Sequence, residues 1–434
     1  MKTIRNILYI FTLLFLVNMS AQQAPRNIAW VHGLGDNQTA WQHYEQIFSQ
    51  ERNINSMREY HVSAYGINHM ANDVTGDMDY HYGSTAHNNQ NIGIGHSMGG
   101  LAIRDADRLH PAASSKYFGG YITVSTPNYG AGIANSILNG NVQSAADDAC
   151  DKLTAGPQAS LAGAVISIIA NATNLDMCSL FIDNAISNEL TAYANQPAVQ
   201  DLKRGSATIN SINTYTVNSN YNIPRISIYA EENSPVHWRL INSTGVVNFN
   251  VLNAASTARD IYQGFFVWNR VKAIACGVGG FWNPWCWGVA AAFWYKANQW
   301  KKGRNWFDNS ENIWNGLIQT TQLEPHTYYE QVWVPCPYPP IDPFNGRNID
   351  PNCGHWEWRY VTRYISVNYP SDGFIPKYSQ IMKNNPTPNN TYRVNKANHK
   401  EVLDMTHDGN NVDETKEVLD DVFDRPIGDF FTTN

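Results

Sequence analysis

Apolar positions in the first third of the chain come in short runs, each closing on a small or polar turn. Asn27-Ile28-Ala29-Trp30-Val31 runs into His32-Gly33-Leu34-Gly35-Asp36. From Thr39 the pattern changes period: Trp41, Tyr44, Ile47 and Phe48 recur at helical spacing. The same alternation returns at Asn91-Ile92-Gly93-Ile94, which leads through Gly95-His96-Ser97-Met98-Gly99-Gly100 into Leu101-Ala102-Ile103-Arg104. Further strands are predicted at Tyr121-Ile122-Thr123-Val124-Ser125, Arg225-Ile226-Ser227-Ile228-Tyr229-Ala230 and, last, Thr391-Tyr392-Arg393-Val394. Apolar strands alternating with helices imply an α/β fold, a mostly parallel central sheet with helices on both faces.

Two stretches break this rhythm and read as insertions. Residues 129–222 are rich in Ala, Asn and Ser and hold one strongly apolar helical segment at 161–170. Residues 240–365 carry four of the six Cys, and the span from Trp238 to Trp358 carries twelve of the fourteen Trp. An irregular loop is marked there by Pro335, Pro337, Pro339, Pro340 and Pro343. The core then comprises residues 22–128, a strand region at 223–239, and 366–434. Both insertions leave the sheet at its carboxyl edge, so they are expected to fold over that edge as a cap with an apolar entrance.

The 434 residues are 43% hydrophobic and 12% aromatic, an ordinary globular composition with room for a large core. The formal net charge of −7, without long like-charge runs, argues against a nucleic-acid binder. A mean hydropathy of −0.40 excludes a multi-spanning membrane protein. Lys2 and Arg5 precede an apolar run at 7–17, and Ser20-Ala21-Gln22 follows. That order reads as a secretory signal peptide over residues 1–21, so the mature chain is expected to be secreted or periplasmic. Cysteine usage fits an oxidising compartment: Cys150, Cys178, Cys276, Cys286, Cys336 and Cys353 arrive as three local pairs. Sequential pairing is the expectation, although six cysteines allow fifteen arrangements. With no CxxC and no Cys/His cluster, neither a metal nor a cofactor is expected.

The strongest chemical signal is Gly95-His96-Ser97-Met98-Gly99, a G-x-S-x-G pattern with a strand entering and a helix leaving. That context forces the serine onto a sharp turn with its hydroxyl exposed. A serine hydroxyl is a poor nucleophile until a base takes its proton. His399, just after the last predicted strand, is the favoured base; His407 is the alternative. The acid that would orient the imidazole is Asp372 in Ser371-Asp372-Gly373-Phe374-Ile375-Pro376, with Glu231 or Glu232 as rivals. Backbone N–H groups of Leu34 and Met98 are the candidates for an oxyanion hole.

Taken together, His32-Gly33-Leu34-Gly35, Gly95-His96-Ser97-Met98-Gly99-Gly100-Leu101, Ser125-Thr126-Pro127-Asn128-Tyr129-Gly130-Ala131, Ser371-Asp372-Gly373-Phe374-Ile375-Pro376 and Asn398-His399-Lys400-Glu401 resemble stations of the α/β-hydrolase superfamily, in its lipase and esterase branch. The resemblance covers roughly residues 26–131, 224–232 and 366–425, not the insertions. It implies an α/β-hydrolase fold and an exported serine hydrolase of carboxylic esters. The implied substrate is a hydrophobic acyl ester or lipid, met in transient contact with a lipid interface. An amidase, peptidase or acyltransferase would use the same three side chains. A non-catalytic binding protein on the same scaffold would use the Trp-rich insertion instead.

Overall fold

The computed structural model describes residues 27–52, 54–88, 90–154, 195–218, 223–232, 285–336, 353–382, 390–405 and 413–424, with scattered residues between 259 and 273 and residue 344. These form two compact units: residues up to 319 together with those from 370 onward, and residues 320–369.

The first unit is built on a six-stranded sheet. Its strands are β1 (Asn27–Val31), β2 (Asn55–Arg58), β3 (Ile92–His96), β4 (Gly120–Val124), β5 (Arg225–Glu231) and β8 (Thr391–Asn395). Their order across the sheet is β2-β1-β3-β4-β5-β8, and every neighbouring pair is parallel. The inner strands β1, β3 and β4 are buried at every residue. That is why they read as continuous apolar runs rather than alternating ones.

Successive side chains of one strand feed two cores on opposite faces. Ala29 and Val31 join the core with α2 (Ile67–Tyr82) and α3 (Met98–Leu109). Ile28 and Trp30 join the other, with α1 (Gln42–Arg52) and the C-terminal helix Glu414–Phe423. In α2 the buried Ile67, Met70, Ala71, Val74 and Met78 make one apolar stripe.

The residues expected as one Trp- and Cys-rich insertion divide between the two units. Trp285–Ile318 is a 34-residue helix of the first unit. Trp300, Phe307 and Trp314, seven residues apart, are buried there in the core that also holds α3. No helix among the described residues is long and apolar enough to cross a membrane.

The second unit is a hairpin of β6 (Thr321–Pro335) and β7 (Gly354–Asn368), antiparallel in unbroken register from Thr321↔Asn368 to Pro335↔Gly354. The Cys336–Cys353 disulfide lies one residue beyond the last pair and closes the hairpin there. The other two expected pairs, Cys150–Cys178 and Cys276–Cys286, lie outside the described residues or side chains. So do the expected signal peptide at 1–21, the apolar segment at 161–170 and His407.

Candidate active site

Ser97 follows β3 directly and opens α3. It sits at φ 51° and ψ −126°, a backbone region that costs a non-glycine residue roughly 1–3 kcal/mol. The surrounding backbone leaves no slack. A Cβ at Gly95 would stand 2.4 Å from the Gly100 nitrogen, so only glycine lets the outgoing helix turn back this tightly over the strand. The Ser97 N–H donates to the Val124 carbonyl at 2.9 Å, tying the turn to the end of β4.

Because all six strands are parallel, their carboxyl ends share one edge, and the loops carrying the expected residues meet there. His399 lies just past β8; its Nε2 is 2.9 Å from Ser97 Oγ. Its Nδ1 is 2.7 Å from Asp372 Oδ2. The structure thus brings Ser97, His399 and Asp372 into one hydrogen-bonded chain across 302 and 27 residues of sequence.

Asp372 is fully buried, and its carboxylate is held from the other side as well. Oδ1 accepts from the Phe374 N–H at 3.0 Å and the Ile375 N–H at 2.7 Å. The His399 N–H donates to the Asp372 carbonyl at 2.8 Å, so backbone and side chain of the two residues are both clamped. The rival acid Glu231 is committed elsewhere, to Lys377 at 3.0 Å and Arg393 at 3.3 Å.

The glycine turn after β1 reaches the same place. A Cβ at Gly33 would lie 2.7 Å from Ser97 Cβ, so the absence of a side chain is what lets the turn press on the elbow. Among the described residues, no hydrogen bond engages the N–H of Leu34 or of Met98. The Met98 amide follows Ser97 directly in sequence, and the Leu34 amide follows Gly33, whose backbone presses on Ser97.

Several supporting residues carried no sequence signal beyond their composition. His96 is buried, and its Nε2–H donates to the His399 carbonyl at 2.7 Å, with the two rings 4.7 Å apart. Burial pushes its pKa down to about 3, so it is neutral and serves as a fixed donor. Trp314 Nε1–H donates to the Gly373 carbonyl at 2.8 Å, and its ring meets Phe374 edge-on at 5.7 Å. Gln380 pairs with the β5 backbone at Ala230, through its Oε1 at 2.9 Å and its Nε2 at 3.2 Å, and also donates to the Ile375 carbonyl at 2.7 Å. In the base loop, Asn398 Oδ1 accepts from the N–H groups of Lys400 and Glu401, both at 2.9 Å. Only His96 could have been found from its place in the motif; Trp314 and Gln380 act through the fold. Among the described residues, no group of three or more His, Cys, Asp or Glu is placed to hold a metal ion.

The parallel sheet, its order and the elbow after β3 define an α/β-hydrolase fold. No family model matches the chain, and no curated protein is significantly similar to it. Among solved structures, the chain is similar to the mature form of the lipase BlEst2 of Bacillus licheniformis, with 15% identity, 48% of this chain and 67% of that one covered, and a TM-score of 0.29. It is similar to the phospholipase PlaB of Legionella pneumophila, with 11% identity over 52% of this chain and 42% of that one, at a TM-score of 0.31. An extracellular alpha/beta-hydrolase from a Paenibacillus species shares 14% identity over 48% of this chain and 78% of its own, at a TM-score of 0.25.

Proposed function

We propose that this protein is an exported serine hydrolase of carboxylic esters, acting on hydrophobic acyl substrates. The observation that carries the proposal is the relay Ser97 Oγ–His399 Nε2–Nδ1–Asp372 Oδ2, with contacts of 2.9 and 2.7 Å, on a strained elbow. His399 takes the Ser97 proton as Oγ attacks the ester carbonyl. The N–H groups of Leu34 and Met98 stabilise the oxyanion that forms. Asp372 holds the imidazole in the tautomer that accepts at Nε2 and stabilises its protonated form. The imidazolium then donates to the leaving alkoxide oxygen. Water, activated by the same nitrogen, releases the acid from the acyl-enzyme.

The hydrophobic acyl preference draws support from the rim of the site. Leu34 and Phe374 are only partly buried, and Phe374 lies 5.8 Å from the His399 ring. The expected signal peptide and the Cys336–Cys353 disulfide both fit an oxidising, exported setting.

A fluorophosphonate probe and an acyl-chain series of nitrophenyl esters test the two halves separately. Covalent label on Ser97, absent in Ser97→Ala, is the expected result; an unlabelled folded protein sinks the serine-hydrolase reading. Octanoate esters should exceed acetate esters in kcat/KM. A tenfold advantage for acetate would leave the chemistry and overturn the substrate class. An amide or acyl-acceptor assay run alongside distinguishes hydrolysis of esters from amidase or transferase action.

A further inference from the structure

The hairpin β6–β7 presents two unlike faces. Residues paired across the register lie on the same side, and successive residues alternate sides. One face carries Tyr329, Trp333, Trp356, Trp358, Tyr360 and Tyr364, each between 41% and 78% exposed. Every position on that face, from 321 to 335 and from 354 to 368, is uncharged. The opposite face carries Glu324, Glu330, Glu357, Arg359 and Arg363, with Gln322, His326 and His355, among four Val, Ile365 and Tyr328. A strand of fifteen residues extends about 50 Å. The aromatic band is therefore larger than the scattered apolar residues a monomer normally leaves in water.

We propose that this aromatic face docks the protein on a neutral lipid–water interface. This rests on the reading of the protein as a hydrolase of hydrophobic acyl esters, whose substrate would gather at such an interface. Tyr and Trp suit that boundary, because an apolar ring carries a polar O–H or N–H that stays at headgroup level. The charge pattern selects the kind of interface. An uncharged face on a chain of net charge −7 offers nothing to anionic headgroups, whereas zwitterionic or neutral lipid demands no counter-charge. The charged opposite face keeps the other side of the hairpin in water, so the element lies on the surface. It cannot span, because a two-stranded sheet leaves both edges unpaired.

Ring geometry separates this occupant from a sugar chain, which needs open, coplanar ring faces. Here the rings cover one another at varied angles: Tyr329 on Trp358 at 5.2 Å and 24°, Tyr329 on Tyr360 at 4.9 Å and 41°, Trp333 on Trp356 at 5.5 Å and 64°. A tilted, continuous apolar band fits a fluid boundary.

Flotation of the full-length protein with phosphatidylcholine vesicles tests the proposal, with tryptophan quenching by dibromo-phosphatidylcholine as a second measurement. Wild type and Ser97→Ala should float equally. The triple variant Trp356→Ser/Trp358→Ser/Tyr360→Ser should lose at least about tenfold in partitioning while retaining turnover of a soluble short-chain ester. Tyr328→Ser, on the opposite face, should float like wild type. Absence of both flotation and quenching for wild type overturns the proposal. So does a triple variant that floats unchanged, or flotation only with phosphatidylglycerol vesicles. Aromatic-face-dependent binding to an insoluble neutral polysaccharide without vesicle binding reassigns the face to glycans. Vesicle binding by a protein that hydrolyses no ester would leave the surface standing and remove only the hydrolase reading.

Discussion

Asp372 is wholly buried, with its carboxylate taking three hydrogen bonds, whereas Trp358 in the hairpin leaves 56% of its surface open. The two regions differ in how they are held. Around Ser97, position is over-determined: the parallel sheet gathers the loops, buried donors such as His96 and Trp314 fix them, and glycines let backbones touch. In the hairpin, stabilisation comes from cross-strand pairs and one covalent closure, since a two-stranded sheet alone is marginal in water. A chemical step needs groups placed to a fraction of an ångström, and burial supplies that. An adsorbing surface needs exposed area and tolerates looser geometry. Four experiments press on this contrast.

The largest effect belongs to the buried relay. Ser97→Ala or His399→Ala should each lower kcat by at least about a thousandfold, since members of such a unit fail together. Asp372→Asn should cost less than either. Thermal unfolding of Ser97→Ala should match wild type, and hairpin substitutions should leave soluble-ester turnover intact. A damaging His407→Ala beside a mild His399→Ala would move the base to the other histidine.

Acid should weaken the core through its neutral histidines. Burial lowers His96 and His61 to about 3, and His61 stacks on His32 with ring centres 3.7 Å apart. Unfolded histidine binds a proton near 6.5, so between pH 6.5 and 3 the unfolded chain holds more protons. Stability from these groups is therefore present above 6.5 and lost as pH falls toward 3. Glu59, raised well above its usual range by burial, acts oppositely: its contribution is present below about 4.5 and fades as pH rises through its folded value. The clean measurement is the difference between wild type and His61→Phe in Tm against pH. The variant should show the shallower acid slope; identical slopes would mean that His61 is not held neutral.

Opening the Cys336–Cys353 bridge should act on the other side of the contrast. It closes a 17-residue separation, worth about 3 kcal/mol by loop-entropy reasoning. In a Cys336→Ser/Cys353→Ser variant, hydrogen exchange should accelerate across β6 and β7 while amides of β1, β3 and β4 keep their protection. Simultaneous loss in both regions would show that the hairpin and sheet unfold as one.

How much of this was readable in advance follows the same division. The strand-to-helix elbow at Ser97, the glycine turn after β1, the Asp372 turn and the His399 loop were legible as local features because each needs particular residues in a short span: glycine at close approach, serine between them, aspartate on a Gly-Pro turn. β2 was not, because Asn55–Arg58 buries only Met57 and shows no apolar period. The hairpin was hidden because aromatics stand where an alternating polar pattern would mark the solvent face. The long helix was obscured because its buried aromatic spacing of seven, at Trp300, Phe307 and Trp314, is masked by the many other aromatics around it, and its partner, the Asp372 turn, reaches it at Gly373, 59 residues beyond Trp314.

That partnership carries the smallest and most discriminating prediction. Trp314 sends its indole N–H to the Gly373 carbonyl, the residue after Asp372, and packs on Phe374, which in turn faces His399. Trp314→Phe keeps an aromatic ring but removes the donor, leaving a buried carbonyl short of one partner at a cost of about 1–3 kcal/mol in stability. If the indole also fixes the acid turn, kcat should fall about fivefold with KM little changed, because misplacing Asp372 affects the transition state more than binding. Trp314→Leu, which loses ring and donor together, should lower kcat no less. Lost stability with unaltered kcat in both variants would show that the Phe374 and Ile375 amides hold Asp372 without help, and that Trp314 serves the core alone.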